Sequence, residues 1–459
     1  MSYQEFLKQK QFSIVDAGFK YDGWMPECIF PFQKDLVLWA LKRGRAALFC
    51  DTGLGKTIMQ LTWAYAVQDY NRKPVLIVAP LCVAQQTVRE GKKFGIDVDY
   101  IREPKFCNAM IHITNYEMLK NFNPEDYCGI VLDESSILKG MDGKFRSFVT
   151  DWASTVPYRL SCTATPSPND FMELGTQSEF LGIMSQTEML AMFFIHDGED
   201  TSKWRLKGHG KRKFWEWLAT WACVIRTPAD LGYDSKGYDL PPIEYHEHII
   251  ETEPTGSLFV EVAQGLSERN KARKESVQDR VNIAIQAVNQ MGSDPVVVWC
   301  NLNEESGLLS DGLQSLVEVV GSDTPAHKEK AAIEFADGSI QGIISKPSIF
   351  GYGLNWQHCN QMVFVGLSDS WEKYYQAIRR CWRFGQTKTV HVHIISADTE
   401  GGVVANIKRK EAQHREMSDQ MIGLMREFMQ KEIRGSRIEK TEYNPSNVAK
   451  FPSFLRAKK

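Results

Sequence analysis

The sequence predicts an α/β protein made of two doubly wound parallel sheets in tandem, and three observations predict it. First, short apolar runs fall into two sets. One comprises Ala46–Cys50, Pro74–Pro80, Ile111–Thr114, Gly129–Asp133 and Tyr158–Cys162; the other Pro295–Cys300, Leu316–Val320, Gly342–Ser345, Gln361–Gly366 and Val390–Ser396. Second, most of these runs are continuously apolar rather than alternating, as suits parallel strands buried on both faces. Third, helical patterns separate the strands, the signature of βαβ units. The chain of 459 residues is 43% hydrophobic and 24% charged, enough apolar material for more than one core and too much for a disordered state.

The runs divide the chain into an N-terminal lobe over 1–180 and a second lobe over 243–400. Between them, 181–242 reads as a helical insertion rich in tryptophan and basic residues: Trp204, Trp215, Trp217, Trp221 and the run Lys203–Lys213 (KWRLKGHGKRK). Trp215, Trp217 and Trp221 are expected in a core rather than as base-stacking platforms. The Pro241–Pro242 pair marks a linker. A helical extension and tail occupies 401–459. Within it Met417, Met421, Leu424, Met425, Phe428 and Met429 recur at helical spacing, predicting a helix packed across the lobes. The stretch from Ser436 onward reads as loosely structured.

Composition excludes several classes. Net charge is −3, from 54 Lys+Arg against 57 Asp+Glu, so binding by bulk positive charge is excluded while local basic grooves are not. None of the ten cysteines forms a C-x-x-C pair; neither a zinc site nor a disulfide framework is expected, and reduced thiols in a cytoplasmic protein are. The longest apolar run, Val75–Ala84, is about half of the ~20 residues a membrane span requires. The N-terminus carries no signal-peptide core.

The chemistry-bearing segments begin with AALFC-DTGLGKT. Gly53 and Gly55 let the backbone curl so that its N–H groups face a phosphate. Lys56 then reaches the β/γ-phosphates and the Thr57 hydroxyl holds Mg²⁺, while the helix that follows presents its positive end to the anion. In GIVLDESS an apolar strand delivers Asp133 and Glu134 to its C-terminal edge, where open α/β sheets bind ligands. Asp133 is a Mg²⁺ ligand candidate, and Glu134 is placed to orient or deprotonate a water. In QAIRRCWRFGQ the spacing puts Arg380 and Arg383 on one helix face, suited to charge spreading on a transferred phosphoryl group. Thr163 and Thr165, after the strand Tyr158–Cys162, are expected to bond Ser135 or Ser136.

These motifs, with TATPSPNDFMELGTQSEFL from Thr163 and GYGLNW (Gly351–Trp356), resemble in content and order those of superfamily 2 nucleic-acid-dependent ATPases, and most closely the Swi/Snf-like translocase branch. The resemblance covers about Glu27 to Ser396, and R-x-x-R-x-G-Q, from Arg380, is its most specific marker. Arg379 departs from it, standing where the branch usually has an acidic residue, as does Trp382, where it often has His. The resemblance implies two RecA-like lobes with ATP and Mg²⁺ clamped between them. Gln33, Thr52, Gly53, Leu54, Gly55, Lys56 and Thr57 would hold the nucleotide from one side, and Gly353 and Gln376 from the other. Thr57 and Asp133 would hold the metal; Lys56, Asp133, Glu134, Arg380 and Arg383 would carry the chemistry. Gln33 is similar to the glutamine that reads adenine, with Phe30 or Phe32 stacking nearby.

The resemblance further implies motion along DNA, duplex favoured; the compact size, with no recognisable nuclease, methyltransferase or chromatin-reading domain, suggests a phage or bacterial stand-alone motor, whose protein partners the sequence does not name. By position, Pro80–Leu81, Thr114–Asn115, Asn301 and Ser345–Lys346 would grip backbone phosphates, and the Lys203–Lys213 run could hold a duplex electrostatically. The rival readings are a strand-separating helicase, which calls for a separation hairpin that the sequence does not declare, and a non-hydrolysing DNA-binding scaffold.

Overall fold

The computed structural model describes residues 16–104, 109–140, 143–167, 170–196, 204–251, 276–351, 354–368, 370–398 and 401–433. Strands β1 (Arg45–Cys50), β2 (Val75–Ala79), β3 (Asp99–Tyr100), β4 (Ile111–Asn115), β5 (Gly129–Asp133) and β6 (Tyr158–Cys162) form most of the first sheet. A hairpin, β7 (Phe194–His196) with β8 (Trp204–Leu206), follows, and then β9 (Ala222–Ile225). The first sheet runs β3-β4-β2-β5-β6-β1-β9, and every pairing in it is parallel. The second sheet contains β10 (Ile243–Ile250), β11 (Val296–Cys300), β12 (Val317–Val319), β13 (Gly342–Ser345), β14 (Gln361–Val365) and β15 (Val390–Ala397), in the order β10-β15-β14-β11-β13-β12. It too is wholly parallel. All ten apolar runs read from the sequence are strands.

Helices cover both faces of each sheet, which is why the strands are continuously apolar. In the second lobe Val297 and Trp299 enter one core with Trp356 and Phe335. Their neighbours Val296, Val298 and Cys300 enter another, beneath the helix Val277–Gln290. The two-residue period of a strand thus supplies two cores from one segment.

The stretch read as a separate insertion is built into the first lobe. β9 pairs with β1 from Ala47↔Ala222 to Cys50↔Ile225. Trp215, Trp217 and Trp221 are at most 2% exposed and lie in the first-lobe core. A four-residue strand too short to show a pattern and a helix bearing three large apolar rings are stable only when that core covers them. The helix Gly401–Ile433, about 50 Å long, bridges the lobes. Val403 and Ile407 pack into the second core; Met421, Ile422, Met425 and Met429 pack into the first. Arg426 adds a 2.7 Å ion pair to Asp230. No helix among the described residues is long and apolar enough to cross a membrane.

Candidate active site

Parallel pairing places the C-terminal ends of β1, β5 and β6 side by side, with Leu48 and Asp133 both opposite Cys162. The loop after β1 turns through two left-handed glycines, Gly53 (φ 88°) and Gly55 (φ 77°), and the helix Lys56–Asn71 begins at once. A Cβ on Gly53 would lie 2.8 Å from the Phe384 backbone nitrogen of the second lobe, and one on Gly55 2.3 Å from Gln33 Nε2. Gly53→Ala therefore meets both a disfavoured φ and a backbone clash. It is expected to abolish nucleotide binding in an equilibrium titration; affinity equal to the parent's would show that the loop does not need this path.

Lys56 Nζ donates to Cys50 O at 2.9 Å and Asp51 O at 3.4 Å, so the lysine is folded back onto its own loop. Gln33, 3% exposed, donates from Nε2 to Leu54 O at 2.8 Å and accepts from Phe30 N at 2.9 Å. Its amide braces the loop in this conformation. Phe30 is 46% exposed whereas Phe32 is buried. The Thr52 amide donates to Asp51 Oδ1 at 2.7 Å, and Leu54 is buried.

At the end of β5, Asp133 Oδ1 accepts from Gln60 Nε2 at 2.6 Å, and the Asp133 carbonyl accepts from Tyr116 OH at 2.8 Å. Glu134 adopts φ 51°, unusual for a residue with a side chain, and such backbone positions concentrate at functional sites. Burial raises both carboxyl groups above the ordinary range, against the pull of the Gln60 hydrogen bond and Lys56 on Asp133 and of Lys56 and Arg380 on Glu134.

Thr163 Oγ1 donates to Glu134 Oε2 at 3.4 Å and Thr165 Oγ1 to Glu372 Oε1 at 3.3 Å. This corrects the expected bonds to Ser135 and Ser136. Ser135 is engaged by Ser161, 2.8 Å away, because β5 and β6 pair in the register that sets Leu132 opposite Ser161. Gln376 Nε2 reaches Thr165 Oγ1 at 3.5 Å and Gln376 Oε1 accepts from Arg380 at 3.0 Å, so a polar chain runs from the end of β6 to the second lobe.

The arginine segment also differs from expectation. The helix stops at Ile378, so Arg380 and Arg383 do not share a helix face. Arg380 Nε instead caps the Gln376 carbonyl at 2.8 Å, and both arginines donate to Leu354 O, at 3.0 and 2.9 Å. Side-chain capping of the last turn competes with a further turn, and the two guanidinium groups converge through a shared acceptor. Gly353 lies outside the described residues.

Arg379, the departure from the family pattern, spans the lobes. It pairs with Asp51 of the glycine loop, while Tyr375 OH donates to Asp51 Oδ1 at 2.9 Å. Burial alone would weaken the guanidinium's hold on its proton, but Asp51 and Tyr375 outweigh it and raise the pKa. The Arg379 guanidinium also lies 4.4 Å from the Trp382 ring centroid, a cation–π contact. The family's acidic and histidine positions are thus replaced together by a pair that stack on each other. Arg379→Ala is expected to loosen the closed arrangement, because it leaves Asp51, 14% exposed, with the Tyr375 hydroxyl but without its charge partner. A FRET pair across the lobes should then report a longer mean separation without nucleotide; an unchanged separation would refute the latch.

The donor set for Mg²⁺, a buried carboxylate and a hydroxyl, is hard oxygen, as this cation prefers when it keeps several waters. Thr114 Oγ1 near the end of β4, Ser136 Oγ just past β5 and Arg383 Nε in the arginine segment are buried without a partner among the described residues. The candidate backbone-gripping positions do sit at strand ends, but several are committed internally. Ser345 Oγ donates to Val319 O at 2.8 Å, Asn301 Nδ2 to Gly366 O at 3.0 Å and Lys346 to Asn303 Oδ1 at 2.6 Å. Of the basic run, Lys203 lies outside the described residues, Lys207 caps Ala191 and Met192 carbonyls, and Arg212 pairs with Glu216.

Two parallel α/β lobes meet over a glycine loop, an acidic strand end and an arginine segment, the plan that the resemblance to superfamily 2 ATPases implies. The comparisons find similarity to proteins of that kind over part of the chain. Residues 279–385 match the helicase conserved C-terminal domain. The chain is 33% identical over 179 residues to the Caenorhabditis elegans homolog of "SWI/SNF-related matrix-associated actin-dependent regulator of chromatin subfamily A-like protein 1", a stretch covering 35% of this chain and 25% of that protein. It is 25% identical over 175 residues to the Mus musculus "DNA annealing helicase and endonuclease ZRANB3", covering 33% of this chain and 16% of that one. The chain thus spans a quarter or less of these relatives' length. A solved Sulfolobus solfataricus SWI2/SNF2 ATPase core in complex with dsDNA aligns over 92% of this chain and 99% of its own, at 16% identity and a TM-score of 0.42.

Proposed function

We propose that the chain is an ATP-driven translocase on duplex DNA that hydrolyses ATP between its two lobes. The observation that carries this reading is the polar chain that joins the two sides of the cleft: Thr163 on Glu134, Thr165 on Glu372, and Gln376 between Thr165 and Arg380. On nucleotide binding Lys56 leaves the Cys50 and Asp51 carbonyls for the phosphates. Thr57 and Asp133 would hold Mg²⁺, which when bound neutralises phosphate charge. Glu134 orients the attacking water and takes its proton; the bond between the γ-phosphorus and the bridging oxygen breaks; Arg380 and Arg383 stabilise the charge that spreads over the transferred group. The chain from Thr163 and Thr165 to Glu372 and Gln376 couples this chemistry to lobe movement.

The test is the ATPase rate measured side by side with duplex DNA, single-stranded DNA and RNA, together with displacement of a third strand from a triplex. Stimulation by duplex and triplex displacement are expected; no stimulation by any nucleic acid would overturn the reading. One observation favours the strand-separating alternative, the antiparallel hairpin β7–β8, which sequence patterning did not reveal. Unwinding of a tailed duplex without triplex displacement would establish that alternative instead.

A further inference from the structure

Strands β10 and β15 run parallel at one edge of the second sheet, with Glu244 opposite His391 and His246 opposite His393. Side chains alternate between faces, so Glu244, His246 and His248 share a face with His391 and His393. There His246 Nε2 lies 3.1 Å from His391 Nδ1, and Glu244 Oε2 lies 3.4 Å from that same nitrogen. One donor atom from each of the three residues lies within 4.8 Å of the others. One step along the strands, His248 Nε2 and His393 Nδ1 repeat the 3.1 Å approach, and the His246 and His393 rings stack at 4.5 Å.

Three atoms with lone pairs converge here, on a face where Glu244 is 58% exposed to solvent. His391 Nδ1 faces both a carboxylate oxygen and a second imidazole nitrogen, yet it carries at most one proton. A cation at the point of convergence satisfies all three lone pairs. The spacing is also suitable: metal–nitrogen bonds of about 2.0–2.1 Å in tetrahedral geometry set neighbouring donors roughly 3.3–3.4 Å apart. Imidazole with one carboxylate suits zinc and similar transition metals, whereas Mg²⁺ seeks oxygen donors and holds its waters.

We propose that Glu244, His246 and His391 form a binding site for a divalent transition-metal cation, zinc by preference, with its fourth position open to water. The site is distinct from the nucleotide cleft and has a mechanical consequence. β10 is an edge strand, with β15 its one sheet neighbour among the described residues, and it is the first strand after the segment that joins the sheets. Pro242 O accepts from Val390 N at 3.1 Å and Pro241 O from Trp382 Nε1 at 2.6 Å. A metal bridging β10 to β15 staples the linker's exit to the lobe that carries the arginine segment. Cysteine spacing is blind to such a site; its sequence trace is the H-x-H pattern in YHEHII and again in VHVHII.

The test uses the full chain without a polyhistidine tag, stripped by chelator and titrated with Zn²⁺ in a Mg²⁺-containing buffer by calorimetry. Saturable binding and a Zn²⁺-dependent rise in the thermal midpoint are expected. Glu244→Ala with His391→Ala should weaken binding by more than about 100-fold and remove the rise, while His327→Ala, at an exposed histidine elsewhere, should change neither. Co²⁺ in the parent protein should give the intense visible absorption of a four-coordinate ion, a readout that does not depend on the variants' folding. Equal Zn²⁺ affinity in the parent and double variant, or only the weak spectrum of six-coordinate Co²⁺, would overturn the proposal.

Discussion

Glu134→Gln is expected to bind ATP as the parent does and to lose DNA-stimulated hydrolysis by about 10²- to 10⁴-fold, the range that removal of a positioned proton acceptor commands. The substitution is nearly isosteric. The glutamine oxygen still accepts from Thr163 and the backbone at φ 51° is untouched, so the loss isolates proton acceptance. Buried at 4% exposure beside Lys56, Asp133 and Arg380, Glu134 has its pKa raised chiefly by desolvation. Its basic form is lost as pH falls through that raised value, so the acid limb of the parent's rate profile should lie above the ordinary glutamate value of about 4.3. Steady-state ATPase with duplex DNA, fluorescent-nucleotide binding and a pH series check the three parts. Stimulated turnover equal to the parent's would remove Glu134 from the chemistry.

Arg280→Ala is expected to destabilise the second lobe by about 3–5 kcal/mol, because it leaves an uncompensated buried carboxylate. Arg280 and Glu305 are both 0% exposed and pair at 2.6 Å between the helices Val277–Gln290 and Asn303–Gly312. Arg280 Nε also donates to Ser276 Oγ at 3.0 Å, and Glu305 Oε2 accepts from the Asn301 and Leu302 amides at 2.8 and 2.9 Å. The carboxylate thus holds both the arginine and the start of its own helix. Replacing both partners, Arg280→Met with Glu305→Leu, should recover part of the loss, since apolar groups of similar volume leave no buried charge, though the Asn301 and Leu302 amides then lose their acceptor. Hydrogen exchange of β11 and β14 under mild denaturant measures the change where it acts. A loss under about 1 kcal/mol in the single variant would show that solvent reaches Glu305.

Local pattern was sufficient wherever one segment bears its own signal. The apolar strands, the G-K-T turn and the D-E strand end each combine a run of one period with residues whose chemistry is tied to that position. The Met417–Met429 spacing likewise declared a helix that the structure shows running across both lobes. Other features carry no local signal. β9 is four residues long and is a strand because β1 offers it an edge. The helix ending at Ile378 would continue on spacing alone, but the Arg380 side chain takes the last-turn carbonyl. The Asp51–Arg379–Tyr375 latch has one readable half, the i,i+4 spacing of Tyr375 and Arg379. Its acidic partner lies 328 residues away in sequence.

By itself, then, the sequence determined the two-lobe α/β plan and the places of the glycine loop and the acidic strand end within it, because backbone period and side-chain chemistry are properties of contiguous residues. Tertiary structure alone decided which charges meet across the cleft, which rings become core, and that a histidine on β10 faces another 145 positions on. Those outcomes depend on sheet order and register, which no stretch of the chain encodes on its own.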